Sequence, residues 1–134
     1  SDQVLWPIDG YSQVWKYFLK LNEAVLELPY RGTVISFSHF LPLSNLPFDS
    51  DNRAGQAMGC EDLEDQIRMV RSTCHVYGHS TVRTQEDHGG IMFVNNYHGY
   101  TNGKPEGVCK PQLIYDGAQG GLVVEDFRKQ REQF

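Results

Sequence analysis

Eight residues, Cys74-His75-Val76-Tyr77-Gly78-His79-Ser80-Thr81, constrain this chain more than any other stretch. The first four alternate in the manner of a strand and Gly78-His79 follow, so a buried strand is expected to end in a tight turn that presents an imidazole. Strand tips are where open α/β sheets place ligands and metals. A second strand-like run, Thr33 to Ser38, is β-branched and apolar enough for a buried strand, and it leads directly into His39. If these two strands are neighbours, His39 and His79 face one site.

The length of 134 residues fits a single domain over residues 1–134 with a real core. Charged residues make up 22% and the net charge is -5 without a basic cluster, which argues against a nucleic-acid backbone as partner. No run of residues approaches the roughly 20 apolar positions that cross a bilayer, so a membrane-spanning chain is not expected. Three cysteines, Cys60, Cys74 and Cys109, form no Cys-x-x-Cys pair and leave at least one thiol unpaired. Reduced, buried thiols are the expectation, and they favour a reducing compartment, the cytosol or an organelle interior.

From Ser12, a candidate N-cap, Val14, Phe18, Leu21 and Val25 recur at helical spacing as far as Leu28-Pro29, and this stripe reads as core. Residues 43–59 carry Pro47, Asp49-Ser50-Asp51-Asn52 and Gly55, which predicts an extended loop beside the candidate site. Glu61 to Ser72 returns to helical spacing, with Leu63, Ile67 and Val70 on one side. Its first turns are acidic and its end holds Arg68 and Arg71, as the helix dipole favours. Thr84 to Gly90 is polar and ends in Asp87-His88-Gly89-Gly90, a hairpin-type turn before a strand at Ile91 to Val94. Asn95 and Asn96 read as turn formers, His75 as a half-buried structural residue, and His88 and His98 as surface residues. Gln112 to Tyr115 predicts a short strand, and residues 125–134 a charged tail compatible with a helix.

In this order, V-I-S-F-S-H-F-L-P, G-C-E-D-L-E-D-Q-I-R, C-H-V-Y-G-H-S-T and G-G-I-M-F-V-N-N-Y-H-G-Y resemble the C-terminal half of a calcineurin-like metallophosphoesterase. The opening helix and the closing P-Q-L-I-Y-D-G fit that half as well. The resemblance implies an α/β (α+β) fold, a partial metallophosphoesterase-like β-sandwich with flanking helices. It further implies that His39 and His79 are metal ligands, the latter being the first His of a Gly-His-x-His motif. A vestigial divalent ion, manganese, iron or zinc, is the one cofactor it brings with it.

The same comparison exposes two departures. Where the motif's last His would stand, this chain has Thr81, a poor substitute for a neutral imidazole. The family's Asp-x-His, Gly-Asp and Gly-Asn-His motifs occur nowhere in the sequence, and with them go the carboxylate that bridges two ions and the His that assists the leaving oxygen. His39 and His79 are then either a retained weak metal site or ordinary strand-end histidines. The expected role is a catalytically degenerate domain serving as a structural or interaction subunit; the alternative is the C-terminal portion of an active two-metal phosphoesterase whose first half is elsewhere. Either way, half a sandwich has a cut face and an unpaired strand edge, which a protein partner or the missing N-terminal half is expected to cover.

Overall fold

The computed structural model describes residues 14–48, 59–101, 104–105 and 111–123. Its centre is one mixed sheet of β1 (Ile35–Ser38), β2 (Cys74–Tyr77), β3 (Thr84–His88) and β4 (Ile91–Asn95), in the order β1-β2-β4-β3. Strands β1, β2 and β4 run parallel, while β3 returns antiparallel to β4 through the Gly89-Gly90 turn. Two-stranded ribbons, β5 (Tyr100–Thr101) with β6 (Lys104–Pro105) and β7 (Tyr115–Asp116) with β8 (Gly121–Leu122), are the other strands among the described residues. Helices α1 (Val14–Leu21), α2 (Glu23–Leu26) and α3 (Asp62–Met69) give the chain its mixed α/β character.

Strand register sorts the side chains onto two faces. Ser36, Ser38, His75, Tyr77, Ile91, Phe93 and Asn95 share one face with Thr84, Glu86 and His88 of β3. Against it pack Ile67 of α3 together with Leu41 and Leu46, which with Tyr77, Ile91 and Phe93 make the buried core. Helix α3 reaches this position through the connection from β1 to β2, and its amphipathic spacing supplies Ile67 and Leu63 to the sheet. It ends in a Schellman motif: Ser72 N–H donates to the Ile67 carbonyl at 3.1 Å and Arg71 N–H to that of Arg68 at 2.9 Å, with Arg71 at φ 55°.

The opposite face is covered only in part. Cys74 and Val94 are buried there, but Ile35 is 37% and Phe37 84% exposed. The expectation of a buried strand at residues 33–38 is therefore corrected: β1 lies at the edge of the sheet and starts at Ile35.

The opening helix also differs from expectation. Its periodic segment breaks at Asn22 into α1 and α2, and neither contains a buried residue. Phe18, Leu21, Val25 and Leu28 are all about half exposed, so the stripe is not core. What fixes this segment is polar: Asn22 Nδ2 donates to Gln66 Oε1 at 2.8 Å, and Gln66 Nε2 donates to the Leu19 carbonyl at 2.9 Å. Those bonds turn Asn22 and Leu19 toward α3 and leave the apolar stripe outward.

Two further readings differ, at residues 84–88 and 112–115. Residues 84–88, polar throughout, form a strand because all five pair with β4. The strand expected at Gln112 to Tyr115 is only the two residues of β7, and Val123 N–H returns to the Ile114 carbonyl at 3.0 Å beside it. Within the expected loop 43–59, residues 43–48 and 59 are described, and Leu41 forms a parallel bridge with Gly59. A side chain at Gly59 would collide with the Leu41 carbonyl. Ser12, residues 49–58, Cys109 and the tail 125–134 lie outside the described residues; Cys60 and Cys74 are free thiols. No helix among the described residues is long and apolar enough to cross a membrane.

Candidate functional site

Because β1 and β2 are adjacent and parallel, their C-terminal ends emerge side by side. Ser38 pairs with Tyr77, and the next residues, His39 and Gly78, are joined by Gly78 N–H donating to the His39 carbonyl at 3.1 Å. A Cβ on Gly78 would sit 3.3 Å from His39 Nδ1 and 3.4 Å from its carbonyl oxygen, so glycine is what lets the two strand tips approach this closely.

His79 follows at φ 62°, with Ser80 N–H donating back to the Gly78 carbonyl at 2.7 Å. This is a three-residue γ-turn with positive φ at its centre, a strained form that costs a non-glycine residue about 1–3 kcal/mol. The turn departs from the strand's two-residue alternation, so His79 does not continue the face of His75 and Tyr77. It swings instead toward β1, where His39 Nε2 and His79 Nδ1 are 3.0 Å apart and the rings meet edge to face at 5.0 Å. Phe40 closes a triangle of rings, 5.1 Å from each imidazole.

The pair is a surface feature with a partly enclosed member. His39 is exposed and His79 intermediate, while His79 Nε2 itself is buried without a hydrogen-bond partner among the described residues. Burial, and then the neighbouring His39, push the His79 imidazole below its ordinary pKa. Both effects favour the neutral ring, which is the form that ligates metals.

Two nitrogens each about 2.1 Å from a common ion lie about 3.0 Å apart at a right angle and about 3.4 Å apart at a tetrahedral one. The observed 3.0 Å is nearer the first, and imidazole nitrogen is a donor type that suits iron or zinc, whereas manganese prefers oxygen donors. The same separation serves an imidazole-to-imidazole hydrogen bond. No cluster of three or more His, Cys, Asp or Glu residues that could hold a metal ion occurs among the described residues, where His39 and His79 offer two imidazole nitrogens side by side. Thr81 is exposed next to them.

His75 has a different task. It is 1% exposed and lies between two serines of β1, with Nδ1 2.8 Å from Ser36 Oγ and Nε2 2.9 Å from Ser38 Oγ. The chain of polar contacts extends from Ser36 to Ser72 Oγ and the Cys74 carbonyl, each step 2.8 Å, and from Ser38 to the Phe40 carbonyl at 2.6 Å. Both ends are acceptors. Three hydroxyl protons and one ring proton serve five contacts, so the neutral ring leaves one contact without a proton whichever tautomer it takes. Burial nonetheless holds the ring neutral, with its pKa lowered to about 4. His75 therefore stitches β1 to β2 as far as Ser38, the last residue of β1, and its ring nitrogens are taken up by the two serines.

Asn95, expected in a turn, ends β4 with 2% exposure, and its Nδ2 donates to the Ser80 carbonyl at 2.9 Å. Ser80, also 2% exposed, donates from Oγ to the Pro47 carbonyl at 2.7 Å and accepts from Val82 N–H at 3.1 Å. These two residues and Phe40 shape the site without any motif to announce them; the signal available in the sequence was their position immediately beside His39 and His79 or at a strand end. His88 lies against Glu86 at 3.2 Å and Phe93 at 5.7 Å, away from the pair, and His98 is exposed. Compared with known proteins, the chain matches no family model, no curated protein and no solved structure.

Proposed function

We propose that this chain is a metallophosphoesterase-like domain, part of a β-sandwich, whose two-metal centre has degenerated and which serves as a structural, interacting subunit of a larger assembly. The observation that carries the reading is the imidazole pair itself: His39 and His79, 3.0 Å apart at the tips of neighbouring parallel strands, without an acidic companion among the described residues. A bound divalent ion would supply Lewis acidity toward a phosphate oxygen, and full hydrolysis needs a second ion beside it. Here the two rings supply donors for one ion, and the serine-histidine stitch beneath them keeps β1 against β2.

The partner side of the reading rests on the β1 flank. A parallel strand is ordinarily covered on both faces, yet among the described residues no strand pairs with the outer edge of β1, and Phe37 of this strand is 84% exposed. Near the same end of the chain, Trp15, Phe18, Leu21, Val25 and Leu28 present a further apolar strip. These surfaces suit a protein partner, and the acidic chain offers nothing to a nucleic-acid backbone.

Phosphatase assays on the isolated chain with added manganese test the proposal. No turnover above buffer is expected, and turnover that disappears in His79→Ala would overturn it. A second reading, the C-terminal portion of an active phosphoesterase, draws on one observation: His79 is held in a strained conformation, as residues at working sites often are. The native sequence upstream separates the two. Asp-x-His and Gly-Asn-His motifs there would move the enzyme reading ahead.

A further inference from the structure

We infer that Asn95 and Ser80 are positioning residues for the imidazole pair: they lock the turn after β2 so that a strained His79 holds its ring against His39.

His79 has pinned neighbours on both sides, and the pins come from different elements. On one side, Gly78 N–H is held by the His39 carbonyl at the tip of β1. On the other, Ser80 is held three times: its carbonyl by the Asn95 amide at the end of β4, its hydroxyl by the Pro47 carbonyl of the loop after β1, and the same hydroxyl again by Val82 N–H. A positive φ at a histidine relaxes unless its surroundings over-determine it, and here it cannot relax without breaking one of these bonds. Asn95 and Ser80 are each 2% exposed, so water does not replace a lost partner; removing the Asn95 amide leaves a buried carbonyl unsatisfied and frees the C-terminal side of the turn. The arrangement resembles the outer support of a metal ligand in its logic, except that it acts on the ligand's backbone and leaves His79 Nε2 without a partner among the described residues.

The test uses the full 134-residue chain, isotopically labelled, with nuclear Overhauser contacts between the His39 and His79 rings as the primary readout. Asn95→Ala and Ser80→Ala are expected to lose the ring contact while amide signals from β2, β4 and α3 persist, and Ser80→Thr, which keeps the hydroxyl, is expected to retain it. Val76→Ala serves as a control that lowers stability without touching the turn, and it should keep the contact. Retention of the ring contact in both alanine variants, or its loss in the control as well, overturns the inference; if Asn95→Ala does not fold, the Ser80→Ala and Ser80→Thr pair decides alone.

A second readout, titration with cobalt(II), rests on the proposed two-imidazole site. There the alanine variants should bind about 10–100-fold more weakly than the parent chain. Absence of cobalt binding by the parent would count against the proposed metal site, while the ring contact would still decide whether Asn95 and Ser80 position the pair.

Discussion

Phe93 and Phe37 sit on strands of one sheet, and the first is 0% exposed while the second is 84% exposed. Around Phe93 the sheet is closed: β2 and β4 have neighbours on both edges, and α3 with Leu41 and Leu46 lies over them. At Phe37, among the described residues, the outer edge of β1 is unpaired, and the apolar side chains of Ile35 and Phe37 are exposed. Both regions have the composition of buried structure. The difference teaches that apolar periodicity records which surface is suited to burial, whereas the covering surface has to come from elsewhere in the chain or from another molecule.

The sharpest way to break this contrast is a pair of truncations. Phe93→Ala should cost about 3–5 kcal/mol, since it removes a ring from a closed core that can collapse only partly. Phe37→Ala should move the stability of the isolated chain by less than about 0.5 kcal/mol, as exposed substitutions do. Urea midpoints of the two variants measure both numbers. Equal losses would mean that Phe37 is covered in solution.

A pH series probes the seam between the two regions, where His75 ties edge strand β1 to central strand β2. A free imidazole takes a proton near pH 6.5, whereas burial lowers His75 to about 4. Between those values the unfolded chain binds more protons than the folded one, so stability present above pH 6.5 is lost as the pH falls toward 4. The full loss from this one group is about 3 kcal/mol. His75→Gln should be weaker at pH 7, having broken the serine contacts, yet show a shallower decline on acidification. Denaturant midpoints from pH 7 to pH 4 for both chains check the difference in slope, which isolates His75 from the carboxylates.

The closed region was the more legible of the two. Strand β2 and helix α3 stood out in the sequence because a four-residue alternation and an Ile67-centred helical stripe both answer to burial that the chain itself provides. The adjacency of His39 and His79 was also readable, since each follows a strand-like run and parallel neighbours bring such ends together. Strand β3 was not, because Thr84 to His88 has no apolar residue and is a strand only through its pairing with β4. The stripe on α1 and α2 was legible as a stripe and misleading as core, since the Asn22–Gln66 bond, invisible in a periodic pattern, sets which way the helix faces. Asn95 escaped for a related reason. Its role depends on a carbonyl 15 residues away, at Ser80.

At the site itself the expected effect is smaller and of opposite sign. His79→Gly should relieve the positive-φ strain and, after the larger backbone entropy of glycine in the unfolded chain, gain about 0.5–1 kcal/mol of stability. The same change removes the second imidazole and should abolish cobalt binding. Thermal unfolding and metal titration of one sample test both halves. A destabilised His79→Gly chain would show that the ring's contacts with His39 and Phe40 outweigh the strain.

The smallest change in folding stability comes with a change in association. Phe37→Lys places a charge beside the free edge of β1, where lysine discourages a second strand from pairing, and should alter the isolated chain's stability by less than about 0.5 kcal/mol. If the open flank is a docking surface, the parent chain at micromolar concentration should self-associate through it in the absence of a partner, and the lysine variant should shift toward monomer. Light scattering across a concentration series measures this directly. A parent chain that is already a monodisperse monomer with a cooperative melt would remove the physical need for a partner, because Phe37 and the α1 stripe would then be tolerated in water as they stand. The contrast between Phe93 and Phe37 would in that case describe one self-sufficient domain with an apolar surface and not a fold awaiting its other side.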